Sequence, residues 1–320
     1  MHGYELTWGL PVIIYLFLAG VGAGALSASA SMFLRGGPTG QYFNIARYGA
    51  FIAAPLVIIG TGMLVFELGS FQTGHWFKFL NLFKVINMSP MSIGTWLLTF
   101  LILTGIVYGY TFLPKNAAPG DHFERLRRPL AWISVPLGIC VAIYTGVLLG
   151  AMPSRPFWNT PILAMLFLFS ALSTGVAVLL LVNTIMNRNN PDPGIKKNSE
   201  QANYLLVESD TLLIGLETII IFLFFMYAHL SVGGQREAIR ILEPGGELFY
   251  MFWIRVVFIG LLVPVLFELF YTIPKIVGHK ERVVVHPVIN LVIASLVLFG
   301  GYTLRYVVVV GGQLTGPLGL

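Results

Sequence analysis

The chain has 320 residues, of which 56% are hydrophobic and only 10% are charged, and its formal net charge is +5. A soluble domain is about a quarter charged, so this composition excludes a soluble globular protein and indicates an integral membrane protein. The single cysteine, Cys140, lies in an apolar run. It excludes a disulfide framework, a cysteine-ligated zinc site and an iron–sulfur cluster held by this chain.

Eight apolar segments are long enough to cross a bilayer, which takes roughly 20 residues each. The predicted spans are 8–34, 47–70, 91–114, 129–151, 159–187, 205–230, 247–274 and 286–311. The loops between them are rich in Gly, Pro and Asn and leave no room for a soluble domain. The predicted fold class is therefore an all-α integral membrane protein with eight transmembrane helices.

Lysine and arginine residues predict the orientation of the chain. The loops that follow odd-numbered spans hold twelve of them, and the loops on the opposite side hold five: Lys78, Lys84, Arg155, Arg236 and Arg240. Cytoplasmic loops carry the excess of positive charge, so both termini are expected on the periplasmic side. The basic residues are thereby accounted for, and no nucleic-acid partner is expected.

Polar residues of the first four spans are expected at one level near the outer surface. Tyr15 on span one and Tyr144 on span four lie at similar depths, roughly 10 Å down. Glu67 lies near the outer end of span two, and the aromatic-rich connection 69–84, with His75 and Trp76, is expected to lie in the interface. These groups are either separate interface residues or a polar binding site for an otherwise apolar ligand.

The last four spans carry a second set of ionisable residues. Asp210 and Glu217 are seven residues apart on span six and therefore share a helix face. Arg255 and Arg305 lie in the outer thirds of spans seven and eight, and Glu268 lies near the inner end of span seven. The set is either a Glu217–arginine salt bridge that fixes packing or a proton-transfer line running inward through Glu217 and Asp210.

The sequence lacks the usual redox and nucleotide motifs. Among the six histidines only His229 and His286 lie near span ends, on opposite sides of the membrane, so no axial pair for haem is expected. There is no P-loop, dinucleotide-binding or CxxC motif. We therefore expect no haem, metal or nucleotide held by this chain, which leaves transport or the handling of a lipid-soluble redox carrier for a partner.

Several stretches occur in a characteristic order: YLFLAG at 15–20, SPMSIGTW at 89–96, YTGVLLG at 144–150, PFWNTPIL at 156–163, LFLFS at 166–170, LRY at 304–306 and GQLT at 312–315. In these stretches, and over nearly its whole length, the chain resembles the NrfD/PsrC family. Members of that family are quinone-binding membrane subunits of nitrite and polysulfide respiratory complexes.

The resemblance implies two four-helix bundles, 1–151 with the quinone site and 152–320 with a candidate proton path. It implies menaquinone or menaquinol near the periplasmic face, with Tyr144 hydrogen-bonded to the ring. Val12 and Tyr15 stand where polysulfide-type members have Asn and His, and Tyr15 can replace the histidine as donor. The predicted quinone site comprises Tyr15, Tyr144, Glu67, His75 and Trp76. The predicted proton-transfer residues are Glu67, Asp210, Glu217, Arg255 and Arg305.

The resemblance also implies partners and a location. The expected partners are membrane lipids, an extracytoplasmic ferredoxin-like iron–sulfur subunit with several [4Fe-4S] clusters, and a molybdenum or multihaem catalytic subunit. The docking site is predicted around His75, Trp76, Lys78 and Ser89. The expected location is the cytoplasmic (inner) membrane of a bacterium or archaeon.

Two other functions remain open at this point. Spans one and five share a Leu-Phe-Leu sequence, and spans two and six each carry a glutamate, as in a secondary transporter of 4+4 design. Transporters of that design have broken helices at mid-membrane, and no Gly/Pro-interrupted segment of that kind is evident here. The third alternative is a membrane anchor without quinone chemistry.

Overall fold

The structure is a computed structural model that describes residues 8–37, 40–67, 83, 89–113, 123–188, 191–278 and 286–316, without the side chains of 66, 67 and 273–278. Its main helices are α1 (Leu10–Gly36), α2 (Phe43–Glu67), α3 (Pro90–Thr111), α4 (Glu124–Gly150), α5 (Ile162–Asn187), α6 (Pro193–Leu230), α7 (Gly234–Ile239), α8 (Val263–Gly278) and α9 (Pro287–Leu314). A 3₁₀ turn (Arg240–Leu242) follows α7, and a π-helix (Met251–Leu262) leads directly into α8.

Eight helices in the described part of the chain are long and apolar enough to cross a membrane. The π-helix and α8 together form the seventh of them. The predicted eight spans and the all-helical fold class are therefore confirmed. Proline at the first or second helical position begins α1, α3, α6 and α9, where its missing N–H would have no helical partner in any case.

Two boundaries differ from the prediction. Helix α6 begins at Pro193, twelve residues before the predicted start of span six, because the Asp192 carboxylate caps it by accepting a bond from the Gly194 N–H at 2.8 Å. The turns that α6 gains at its start are polar, so a prediction of membrane spans from hydropathy does not include them. The outer segment 231–250, predicted as a loop, forms α7 and the 3₁₀ turn, with the left-handed backbone at Gly233 and Gly245 supplying its turns.

Helix α1 lies at the centre of the molecule. It packs against α2, α4, α5 and α9, and most of its side chains are buried. Close approach to α5 depends on glycine, because a Cβ on Gly24 would overlap the Ala171 carbonyl and one on Gly175 would overlap the backbone of Gly24. Small residues permit such approach in lipid, where association relies on close packing.

The two ends of the chain meet beside this helix. The Gln313 side chain accepts a bond from the Trp8 N–H at 2.9 Å and donates one to the Trp8 carbonyl at 3.0 Å. The division into bundles 1–151 and 152–320 stays a prediction. Helix α1 of the first half packs against α4 of the same half and also against α5 of the second half. The helix contacts therefore do not by themselves divide the molecule into these two bundles.

Candidate functional site

Tyr15 of α1 and Tyr144 of α4 are neighbours in the interior of the protein. Tyr15 is fully buried and Tyr144 is 6% exposed, and their hydroxyl groups lie close enough to interact. The hydroxyl of Tyr15 nevertheless makes no well-formed hydrogen bond. The two tyrosines are therefore not lipid-facing belt residues, and they present phenol hydroxyls to a shared interior position.

A third helix completes this arrangement. The ring of Tyr144 lies directly over Gly94 of α3, where any Cβ would overlap the phenol. Ser89 begins α3, and its side chain accepts a hydrogen bond from the Ser92 N–H at 3.3 Å. Gly94 lies in the stretch that carried the family resemblance, yet nothing in the local pattern showed that it makes room for a tyrosine from α4.

The guanidinium of Arg305 lies against Leu16 and Gly20 of α1, between α1, α5 and α9. It is fully buried and donates to the carbonyls of Leu16 (3.3 Å) and Gly301 (2.7 Å) and to the hydroxyl of Ser170 (3.0 Å). Its Nη2 has no hydrogen-bond partner and faces Gly20, whose added Cβ would come within 2.9 Å. This buried arginine therefore links α9 to α1 by a hydrogen bond.

Glu217 of α6 is near Arg305 but does not form the expected salt bridge. Among the described residues the ion pairs within 4 Å are His229–Glu243, which joins the end of α6 to the segment 231–250, and Arg240–Glu237 within that segment. The Ser170 hydroxyl instead interacts with both Arg305 and Glu217. Arg255, the other arginine considered for this core, is exposed, and its part in proton transfer stays a prediction.

Two more acidic side chains meet about two turns of α6 before Glu217. Asp210 of α6 and Glu268 of α8 are both fully buried. Ser173 donates to Asp210 Oδ1 at 2.6 Å, and the Thr211 hydroxyl lies 3.1 Å from Glu268 Oε2. The sequence placed both carboxylates on their helices, but the pairing of Glu268 with Asp210 was not predicted.

The C-terminal end of α5 and the N-terminal end of α6 share a network of amide and hydroxyl groups. Asn183 donates to Ser199 Oγ at 2.9 Å and to Asn203 Oδ1 at 2.7 Å, and Asn187 donates to Asn183 Oδ1 at 2.8 Å. Polar side chains therefore recur along α5 and α6 from the level of Glu217 to these ends. The sequence analysis did not predict this network.

Other predicted site residues lie outside the described part of the chain: His75, Trp76, Lys78 and the side chain of Glu67. Their roles stay predictions. Within the described residues, no group of three or more His, Cys, Asp and Glu side chains lies close enough together to hold a metal ion.

Eight apolar helices with buried polar groups between them define a multi-span membrane protein. The family model described as "Polysulphide reductase, NrfD" matches residues 1–317. The chain therefore belongs to the NrfD family, whose members are membrane subunits of respiratory reductase complexes. This confirms the resemblance identified from the sequence.

Individual relatives agree with the family match. The chain is 30% identical to one of the polysulfide reductase polypeptides of Wolinella succinogenes, over 96% of this chain and 95% of that protein. It is 30% identical to protein NrfD of Escherichia coli, over 98% and 97% of the two chains. A putative dimethyl sulfoxide reductase membrane subunit of Halobacterium salinarum is 24% identical over 57% of this chain and 44% of its own length.

Proposed function

We propose that this chain binds menaquinol between α1, α3 and α4 near the periplasmic face and oxidises it for a respiratory reductase. The observation that carries the proposal is the pairing of Tyr15 and Tyr144, with a buried phenol hydroxyl that makes no other well-formed hydrogen bond. Phenol hydroxyls can donate to the carbonyls of a quinone and accept from the hydroxyls of a quinol. An apolar site with a few placed polar groups suits such a ligand.

Oxidation of menaquinol releases two electrons and two protons. The electrons pass to an extracytoplasmic iron–sulfur subunit with [4Fe-4S] clusters, and from there to a molybdenum or multihaem catalytic subunit. Docking is proposed at His75, Trp76, Lys78 and Ser89. This arrangement accords with a family of reductase membrane subunits and with an orientation in which both termini are periplasmic.

The protons have two proposed routes. Glu67 at the outer end of α2 would return them to the periplasm. The inward route begins at Arg305, passes through Ser170 to Glu217 and continues to Asp210. The Arg305–Ser170 distance of 3.0 Å and the Ser173–Asp210 distance of 2.6 Å support it. Arg255 is exposed, so any part it has in proton transfer is proposed at the surface and not in this buried line.

The proposed division of labour follows the two halves of the chain. The quinone site belongs to the half 1–151 and the inward proton route to the half 152–320. Arg305 connects them, because it donates both to the carbonyl of Leu16, next to Tyr15, and to Ser170.

The test replaces Tyr144 by phenylalanine, which removes one hydroxyl and keeps the ring that fills the space over Gly94. We expect Tyr144→Phe to assemble normally and to lower menaquinol-linked turnover by about tenfold, the effect of losing one hydrogen bond of roughly 1.4 kcal/mol. Steady-state turnover with a menaquinol analogue measures this.

Tyr108→Phe is the matched control. Tyr108 is likewise fully buried, and its hydroxyl also makes no hydrogen bond of good geometry, but it lies on the inner half of α3. Its removal should leave turnover unchanged. Equal turnover in Tyr144→Phe and the parent protein would reject the quinol site.

A further inference from the structure

The side chains of Asp210 and Glu268 form a pair inside the second half of the molecule. Both are fully buried, on α6 and α8, and the two carboxyl groups interact directly. One oxygen of each, Asp210 Oδ2 and Glu268 Oε1, has no other hydrogen-bond partner. Two carboxylate oxygens can be joined by a hydrogen bond only when one of them carries a proton.

No positive charge balances this pair among the described side chains. The carboxyl groups nearest to Asp210 along α6 are Glu208, two residues before it, and Glu217, two turns after it, and neither supplies a positive charge. The buried cation of this region, Arg305, lies against Ser170 and near Glu217, and neither Asp210 nor Glu268 has a cationic group within 4 Å in the described part. Two adjacent buried carboxylates without a counter-ion cannot both stay ionised.

The surrounding hydroxyl groups indicate which residue carries the proton. Ser173 donates to Asp210 at 2.6 Å, as it would to an ionised carboxylate. Thr211 has one hydroxyl proton and lies 2.8 Å from the Val207 carbonyl and 3.1 Å from Glu268 Oε2. Thr211 donates to both of these oxygens, and the longer bond to Glu268 is the weaker one expected for a neutral acid. The proton then lies on Glu268 Oε1, which accepts from no donor, and is donated to Asp210.

We propose that Asp210 and Glu268 form an acid–carboxylate pair that stores one proton, carried by Glu268. The pair adds a proton-binding residue to the inward route, on α8. Ser173 lies one helical turn along α5 from Ser170, so the pair is the next polar group inward of Glu217. Its place in a route rests on the proposed function, whereas the stored proton is a property of the resting protein.

Infrared spectroscopy of the purified full chain tests the stored proton directly. A protonated buried carboxyl absorbs in the carbonyl region apart from carboxylates, and the band shifts in D₂O. Glu268→Gln should lose this band, because the new amide can donate to Asp210 without a titratable proton. Asp210→Asn should keep the band but shift it, because Glu268 remains protonated with a different partner.

Two further variants complete the test. Thr211→Val removes a single hydroxyl and should also shift the band, which keeps the test valid should Glu268→Gln fold poorly. Glu247→Gln, at an exposed position, should leave the spectrum unchanged. A Glu268→Gln spectrum identical to that of the parent chain would overturn the proposal, and so would loss of the band in Asp210→Asn alone.

The outcome is separable from that of the quinol site. The spectra are recorded without quinol, so a failure of Tyr144→Phe to affect turnover would leave the stored proton in place. In liposomes that contain the complex, a stored proton used in turnover predicts a lower proton-to-electron ratio for Glu268→Gln with quinol oxidation retained. An unchanged ratio would contradict the role in the route while the infrared band still reports the pair.

Discussion

Gly94 of α3 leaves the space that the phenol ring of Tyr144, from α4, occupies. An added methyl group at this position would overlap the phenol ring and push Tyr144 away from Tyr15. We expect Gly94→Ala to reduce menaquinol turnover at least as much as Tyr144→Phe, with the greater effect on quinol affinity. Turnover measured over a range of quinol concentrations gives both quantities.

Gly62→Ala on α2 is the matched control for that change, because a Cβ there meets nothing within 4 Å. Both substitutions add one methyl group to a helix and raise its intrinsic propensity similarly. Normal quinol affinity in Gly94→Ala would show that Tyr144 can move without consequence for the site.

Arg305 donates hydrogen bonds to acceptors on α1, α5 and α9. Its guanidinium carbon also lies 5.7 Å from the ring centroid of Phe17 and 5.5 Å from that of Phe167. We expect Arg305→Gln to destabilise the protein by about 3 kcal/mol, since it removes these bonds and leaves Glu217 without its neighbouring cation. Thermal unfolding in detergent measures the loss.

The exposed Arg255 supplies the comparison. Arg255→Gln should leave the melting temperature nearly unchanged. Adding Glu217→Gln to Arg305→Gln should restore part of the lost stability, because the uncompensated acid is then removed. An equal loss in Arg255→Gln and Arg305→Gln would argue against a specific role for the buried guanidinium.

At the residue scale the sequence predicted the types of the key side chains and their depths, but not their partners. Tyr15 and Tyr144 were expected at one level, and the structure brings them together. Whether Glu217 meets an arginine directly or through Ser170 depends on helix rotation by a fraction of a turn, which hydropathy does not encode. The pairing of Asp210 with Glu268 could not be predicted for the same reason.

At the scale of the helices, α1 and α5 cross where Gly24 and Gly175 meet. A methyl group on Gly175 would overlap the backbone of Gly24, and overpacking a tight contact costs about 1–3 kcal/mol or more. We expect Gly175→Ala to lower the melting temperature and to loosen the attachment of α5 to α1. Thermal unfolding and protease sensitivity in detergent measure this.

Gly215→Ala on α6 is the corresponding control, because a Cβ there has open space. It should be neutral or slightly stabilising. A Gly175→Ala protein as stable as Gly215→Ala would mean that the helix crossing can widen at little cost.

The eight spans were predictable because length and hydropathy define a membrane helix almost independently of its neighbours. The early start of α6 was not, since its first turns are polar and depend on the Asp192 cap and on contacts between Asn183 and both Ser199 and Asn203. The same holds for α7, whose turns are set by single glycines.

At the scale of the whole molecule, the orientation is testable with cysteine labelling. In a Cys140→Ala background, Val232→Cys lies in the outer segment at a position that is 98% exposed, and Gln41→Cys is exposed at the opposite side. If both termini are periplasmic, an impermeant maleimide should label Val232→Cys in intact spheroplasts. It should label Gln41→Cys only after lysis.

Labelling of Gln41→Cys first would reverse the orientation and move the tyrosine site to the cytoplasmic face. The neighbour relations of the helices were less predictable than the spans, because every helix is apolar on most sides. Only small residues such as Gly24 and buried charges such as Arg305 select one arrangement, and they act between segments far apart in sequence.

The central position of α1 has a consequence for biosynthesis. Helix α1 precedes the other described spans in the chain, yet part of its surface is covered by α9, which follows them, through Arg305 and Gln313. Until α9 is inserted, that surface faces lipid or an insertion factor. Chains truncated before α9 should therefore be substrates for membrane quality control even when seven spans have already been inserted.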